Sequence, residues 1–118
     1  MTQEDKDLLL KDLCARIPYG VKVQSTFYYC DGTVWKHEDE TLTSDLLSYP
    51  IYRYKPYLFP MSSMTDKQEE EFQSLNGWNR CVFPQTEEAF DWLNKNHFDY
   101  RGLIEKSIAL DATELNIY

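Results

Sequence analysis

The hydrophobic spacing changes period between Pro18 and Gly20, and that change limits the classes of fold open to this chain. Before it, Leu10, Leu13, Cys14 and Ile17 recur at i, i+3, i+4 and i+7, the spacing of one helical face. Thr2 is placed to N-cap this helix, with Glu4 and Asp5 in its first turn. Asp7 with Lys11, and Asp12 with Arg16, are acid-before-base pairs one turn apart. The spacing predicts a helix over 3–16, stopped by Pro18 and Gly20. From Val21 the period is two, with Val21, Val23, Ser25, Phe27 and Tyr29 on one side. Asp31-Gly32 is a signal for a type I′ hairpin turn. A two-residue loop pairs Cys30 with Thr33, Tyr29 with Val34 and Tyr28 with Trp35. On that register Val21, Val23, Phe27, Tyr29 and Val34 line the core, covered by the N-terminal helix. Thr26, Tyr28, Trp35 and His37 face the other way.

Residues 37–44 are polar and read as loop. The segment from Leu46 to Leu58 is rich in tyrosine and isoleucine but is interrupted by Pro50 and Pro56, with Pro60 just beyond. Proline confines a strand to an edge or ends it, so an edge strand is expected near 51–55, followed by an extended stretch to Met64. Thr65 and Gln68 form a capping box for a helix to about Leu75, closed by Asn76-Gly77. Arg80 to Phe83 reads as a short extended link. Thr86 caps a helix from Glu87 to about Asn94, with Phe90, Leu93 and His97 along one side. Asp99 is placed to cap another helix, carrying Tyr100, Leu103, Ile104, Ser107 and Ile108 as its apolar stripe. Leu115 and Ile117 alternate, as a short strand or a docked tail. Helix, antiparallel hairpin, edge strand and C-terminal helices give an α+β class; the βαβ alternation of a doubly wound sheet is absent. At 118 residues a single α+β domain over 1–118 is expected. Such a domain buries roughly 65% of the surface its unfolded chain exposes, enough for one core without metals or disulfides.

Charge narrows the function classes. Twelve basic and twenty acidic residues give a net charge of −8. This argues against a basic nucleic-acid-binding module, and no direct nucleic-acid contact is expected. No run approaches the roughly 20 apolar residues of a membrane span. The polar, acidic N-terminal stretch does not resemble a secretory signal, so a cytoplasmic setting is expected. Acids cluster at 31–45 and 66–71, while 46–64 has none and carries only Arg53 and Lys55. A charged, self-repelling surface explains the clusters; an acidic face for a basic partner, or an imitation of a nucleic-acid backbone, is the sharper reading.

Few constellations suggest chemistry. Cys14, Cys30 and Cys81 are odd in number and form no C-x-x-C pair, so reduced thiols are expected, with Cys14 and Cys81 buried. Neither they nor His37 and His97 have metal-ligand spacing, and no cofactor or metal is expected. Gly20, Gly32, Gly77 and Gly102 never cluster as a phosphate loop requires. Cys30 and His37 share a predicted hairpin face but lie too far apart for a nucleophile and its base. The carboxylates are numerous enough that pairs posing as acid and base carry no specificity. The most unusual feature is the run Tyr49-Pro50-Ile51-Tyr52-Arg53-Tyr54-Lys55-Pro56-Tyr57. One reading lays its tyrosines over the core with wet hydroxyls, while Arg53 and Lys55 guard a sheet edge. The other makes it part of a face for a protein partner, comprising Tyr28, Trp35, Tyr52, Arg53, Tyr54, Lys55 and Tyr57.

Two stretches carry a resemblance. One is Lys55-Pro56-Tyr57-Leu58-Phe59-Pro60-Met61-Ser62-Ser63-Met64-Thr65. The other is Asp91-Trp92-Leu93-Asn94 followed by His97-Phe98-Asp99-Tyr100-Arg101-Gly102-Leu103-Ile104. Together they resemble a group of short, functionally unassigned proteins of gut anaerobic bacteria of the Bacteroides kind, often found in phage-like or mobile regions. The resemblance implies a bacterial or phage cytoplasmic protein and assigns no activity and no functional residue. Three functions stay open: a small non-catalytic interaction or accessory protein, an acidic inhibitor that imitates nucleic acid, and an enzyme working through carboxylates or Cys81.

Overall fold

A computed structural model describes residues 1–78 and 83–118. The chain is α+β. Helix α1 (Gln3–Arg16) precedes the antiparallel strands β1 (Lys22–Tyr28) and β2 (Val34–Thr41). Two 3₁₀ turns at Ser44–Ser48 and Ile51–Arg53 lead into β3 (Tyr54–Pro60). Helices α2 (Asp66–Leu75) and α3 (Glu87–Lys95) follow, then the short strands β4 (Phe98–Asp99) and β5 (Leu110–Asp111). The mixed sheet runs β2-β1-β3-β4, with β5 parallel to β3.

Local signals set the helix ends. Thr2 accepts from the Asp5 amide at the start of α1, and Gly20 takes a left-handed φ of 70° after the helix. Thr65 and Gln68 complete their capping box at α2. Thr86 accepts from the Ala89 amide at α3.

The buried face of α1 is rotated by one residue from the expected stripe. Leu9, Asp12, Leu13 and Arg16 are buried, whereas Leu10 and Cys14 are exposed. The rotation brings a charge pair inside. Arg16 Nε donates to Asp12 Oδ2 at 2.9 Å, with both side chains inaccessible. Arg101 Nη1 binds Asp12 Oδ1 at 2.8 Å, and Arg16 Nη2 donates to the Phe98 carbonyl at 2.6 Å. These partners hold charged groups where an apolar stripe was expected. Cys81, also expected to be buried, lies outside the described residues, as does most of the expected link at 80–83.

The hairpin register also differs from expectation. The Tyr29 amide donates to the Thr33 carbonyl, and the Gly32 amide to the Tyr29 carbonyl. The loop is therefore three residues long, Cys30-Asp31-Gly32, with only Gly32 at positive φ (88°). That is a type I turn closed by a left-handed glycine, not a type I′ turn. Asp31 instead accepts from the Thr33 amide and hydroxyl. These bonds, the amide's first, hold its carboxyl below the usual range. Tyr28 pairs with Val34 and Phe27 with Lys36, which leaves Trp35 as a bulge rather than the partner of Tyr28. Val34 and Tyr29 are exposed, not core, and Phe27 is half-buried. β2 continues to Thr41 through the expected loop.

β3 is a central strand, not an edge, and begins where the expected strand near 51–55 ends. It pairs with β1 over Tyr54–Pro56 and with β5 and β4 over Tyr57–Pro60. Proline is tolerated because of pairing parity. The Leu42 amide donates to the Val21 carbonyl, so Val21, Val23 and Ser25 aim their amides at β2 and Gln24 aims its own at β3. Pro56, opposite Val23, therefore turns its missing donor away from β1.

Residues 100–109 form turns rather than the expected helix. Asp99 does accept from the Leu103 and Ile104 amides, as a cap would. Gly102 and Ser107, at φ 74° and 61°, then turn the chain out of helical geometry. Leu103 and Ile108 are buried nonetheless. The added strand is β5 rather than Leu115–Ile117, and Leu115 is exposed. One apolar cluster joins Leu9 and Leu13 to Val21, Val23, Tyr54 and Leu58; another joins Phe72, Ala89, Leu93 and Phe98.

Candidate interaction surface

β1 outruns its other neighbour. It meets β3 only at Val23–Ser25, so residues 26–28 continue with β2 as a two-stranded ribbon. The end of this ribbon carries large apolar side chains left exposed among the described residues: Trp35 is 56% exposed, Tyr29 55%, Val34 50% and Tyr28 40%. The bulge at Trp35 turns its indole across the strand. The ring meets Phe27 edge-on at 6.4 Å and Tyr29 at 6.3 Å.

Cations organise the rings. Lys36 Nζ lies 4.7 Å from the Trp35 centroid and 5.1 Å from that of Phe27, and also pairs with Glu38 at 3.2 Å. Arg53, on the 3₁₀ turn behind the ribbon, places its guanidinium 4.6 Å over Tyr49 and 5.4 Å over Phe27. Tyr52, from the same turn, meets Tyr28 at 5.9 Å. Each exposed cation–ring contact stabilises by about 0.5–1 kcal/mol. The contacts hold the aromatics in place without burying them. A shallow cleft of about 190 Å³ lies between Phe27, Tyr49, Arg53 and the carboxylates Glu38 and Glu40.

The structure divides the seven residues singled out from the sequence. Tyr28, Trp35, Tyr52 and Arg53 gather at the ribbon. Tyr54 is 1% exposed and Tyr57 5%. Both are core residues with anchored hydroxyls: Tyr54 donates to the Leu46 carbonyl at 2.8 Å, and Tyr57 to Asp39 Oδ1. Burial, then the Asp39 carboxylate, pushes the Tyr57 hydroxyl up to about 12. Lys55 is half-buried opposite Gln24. Strand alternation misassigned these positions because residues 51–53 form a turn, so the face count starts afresh at Tyr54.

Phe27, Tyr29, Lys36 and Tyr49 also belong to the surface and were missed. Tyr49 opens the aromatic and basic run, and the cation four residues on, Arg53, is the sequence signal that could have found it. Among the described residues no group of three His, Cys, Asp or Glu side chains is placed to hold a metal. Exposed Cys30 lies in the turn, while His37 is occupied by the Thr26 hydroxyl at 2.9 Å from Nδ1. No helix among the described residues is long and apolar enough to cross a membrane. No protein-family model, curated protein or solved structure matches the chain.

Proposed function

We propose that this chain is a small, non-catalytic interaction or accessory protein that binds another protein through the end of its hairpin. The observation that carries this reading is the uncovered cluster of Tyr28, Tyr29, Trp35 and Tyr52, held beside Lys36 and Arg53. Aromatic anchors next to arginine are the composition of interface hot spots. A fixed aromatic side chain also loses little entropy when a partner covers it. A cytoplasmic setting, within a phage-like or mobile genetic context, accords with the sequence resemblance. The rival reading as a nucleic-acid mimic draws less support, because it gives the exposed aromatic cluster at the tip no role.

Capture of partners from a bacterial host lysate tests the proposal. Trp35→Ala and Arg53→Ala should each reduce capture of one defined protein, while the fold is kept and stability falls by no more than about 2 kcal/mol, the worth of the ring contacts removed. Loss of folding in either variant would return these residues to a structural role. Unchanged capture by both would remove the tip from the interface.

A further inference from the structure

The outer edge of β2 is open. β2 pairs with β1 alone among the described strands. The bond from the Leu42 amide to the Val21 carbonyl sets the parity of this ladder. It makes Val23–Glu40, Ser25–Glu38 and Phe27–Lys36 the mutually bonded pairs. Lys36, Glu38 and Glu40 thus direct their backbone groups to β1. His37, Asp39 and Thr41 direct theirs outward, where the strand offers a row of alternating donors and acceptors. All three are exposed, and no proline interrupts the eight-residue strand.

We propose that this edge receives an extended, basic segment of a partner protein as an added strand. Edge charges ordinarily block pairing with any strand. Here the charges are of one sign over Glu38-Asp39-Glu40, so the block is selective. A second copy of this chain would set the same acidic run beside it in a molecule of charge −8, and like charges directly opposite are destabilising. A strand rich in lysine or arginine reverses that sign on both faces. Glu38 and Glu40 lie on the face of Phe27, and Asp39 on the face of Thr26. The carboxylates are also already oriented: Glu40 accepts from the Ser25 hydroxyl, Asp39 from Tyr57 and Glu38 from Lys36. Main-chain bonds would then supply affinity and the acidic run selectivity, as in strand addition generally. This surface is separate from the aromatic tip and does not depend on the tip having a partner.

The test titrates the full chain with a short peptide repeating lysine, lysine and threonine, which presents lysine on both faces, followed by amide NMR and hydrogen exchange. Binding should shift and protect the amides of His37, Asp39 and Thr41, and should weaken as salt is raised. The same peptide N-methylated at alternate residues should bind about tenfold more weakly, because it keeps the charge and loses donors. Glu38→Lys should weaken binding by a similar factor without unfolding, since that side chain is exposed. Thr41→Pro, which removes one outward donor and leaves the β1 ladder intact, should weaken it severalfold. Equal binding of the N-methylated peptide or of a glutamate–threonine peptide would overturn the proposal. So would shifts confined to Trp35 and Tyr52, or protection of the edge by self-association.

Discussion

Asp12 and Arg16, one turn apart on α1, form an ion pair that no solvent reaches. Arg101 is bound to the second oxygen of Asp12, and the Phe98 carbonyl to the guanidinium of Arg16. One carboxylate therefore compensates two cations and ties the first helix to the segment around β4. Removing Asp12 would leave Arg16 charged, buried and short of an acceptor. Asp12→Ala should lower the unfolding free energy by about 3–5 kcal/mol. Asp12→Leu combined with Arg16→Met should recover most of that loss, because apolar side chains of similar size tolerate the site. Urea denaturation of the parent, the single variant and the pair measures this. A double variant no better than Asp12→Ala would mean that packing, not charge, sets the cost.

His97 follows α3 at a positive φ of 63°, its ring stacked 3.8 Å from that of Tyr118. Its Nδ1 is buried without a partner among the described residues. Burial, then the nearby charge of Arg16, lowers its pKa from 6.5 to about 4. The unfolded chain therefore takes up a proton near pH 6.5 that the folded chain refuses until about pH 4. The resulting stability is complete above pH 6.5 and is lost as pH falls toward 4. His97→Asn, which suits left-handed backbone, should flatten the stability curve over this window relative to the parent. Parallel curves for the two proteins would show that His97 does not titrate differently on folding.

Much of the fold was legible where the determinants are local. Thr2, Gly20, Thr65, Gln68 and Thr86 act within a turn of their own positions, and the helices they bound fell where the sequence placed them. The buried face of α1 was not legible. Two stripes share Leu13 and differ by one residue, and the groups that draw Asp12 and Arg16 inward, Arg101 and Phe98, are remote in sequence. Asp99 was read correctly as a cap, but Gly102 and Ser107 deny it a helix. At the candidate surface Tyr52 and Arg53 were singled out in the aromatic and basic run, and Tyr28 and Trp35 by a hairpin pairing that the register does not keep: Tyr28 pairs with Val34, and Trp35 meets Phe27. Tyr54 and Tyr57 were included because a turn at 51–53 leaves no mark in strand alternation. That β1 outruns β3, which exposes the tip, is a property of register between distant segments.

Gly32 carries the hairpin turn. Its φ of 88° lies in the left-handed region, and a Cβ there would meet nothing within 4 Å. The cost of substitution is therefore conformational alone. Gly32→Ala should destabilise by about 1 kcal/mol, and Gly32→Asn by less, because asparagine visits this region more readily. Thermal melts of the two variants give the order. A type I′ turn would instead make Asp31 equally sensitive, so Asp31→Ala provides the contrast. Its loss should be confined to the bonds from Thr33.

Tyr118 repairs a gap between two strands. Lys22 and Tyr57 would be the next pair of the β1–β3 ladder, beyond Val23 and Pro56. The Tyr118 hydroxyl stands between them, accepting from the Lys22 amide at 2.8 Å and donating to the Tyr57 carbonyl at 2.7 Å. Burial pushes this hydroxyl up to about 12. Tyr118→Phe keeps the stacking on His97 but leaves the two backbone groups facing each other without the bridge. A loss of about 1–2 kcal/mol is expected at neutral pH. Alkali supplies a second readout. A folded pKa above the unfolded value of 10 stabilises fully below pH 10, and that stability is lost as pH rises through 12. The parent should therefore weaken over this interval more steeply than Tyr118→Phe, in which Tyr57 still contributes its own raised value. Denaturant midpoints at neutral pH and across the alkaline range distinguish the outcomes. Equal neutral stability together with equal alkaline slopes would mean that the strands close on each other once the hydroxyl is gone.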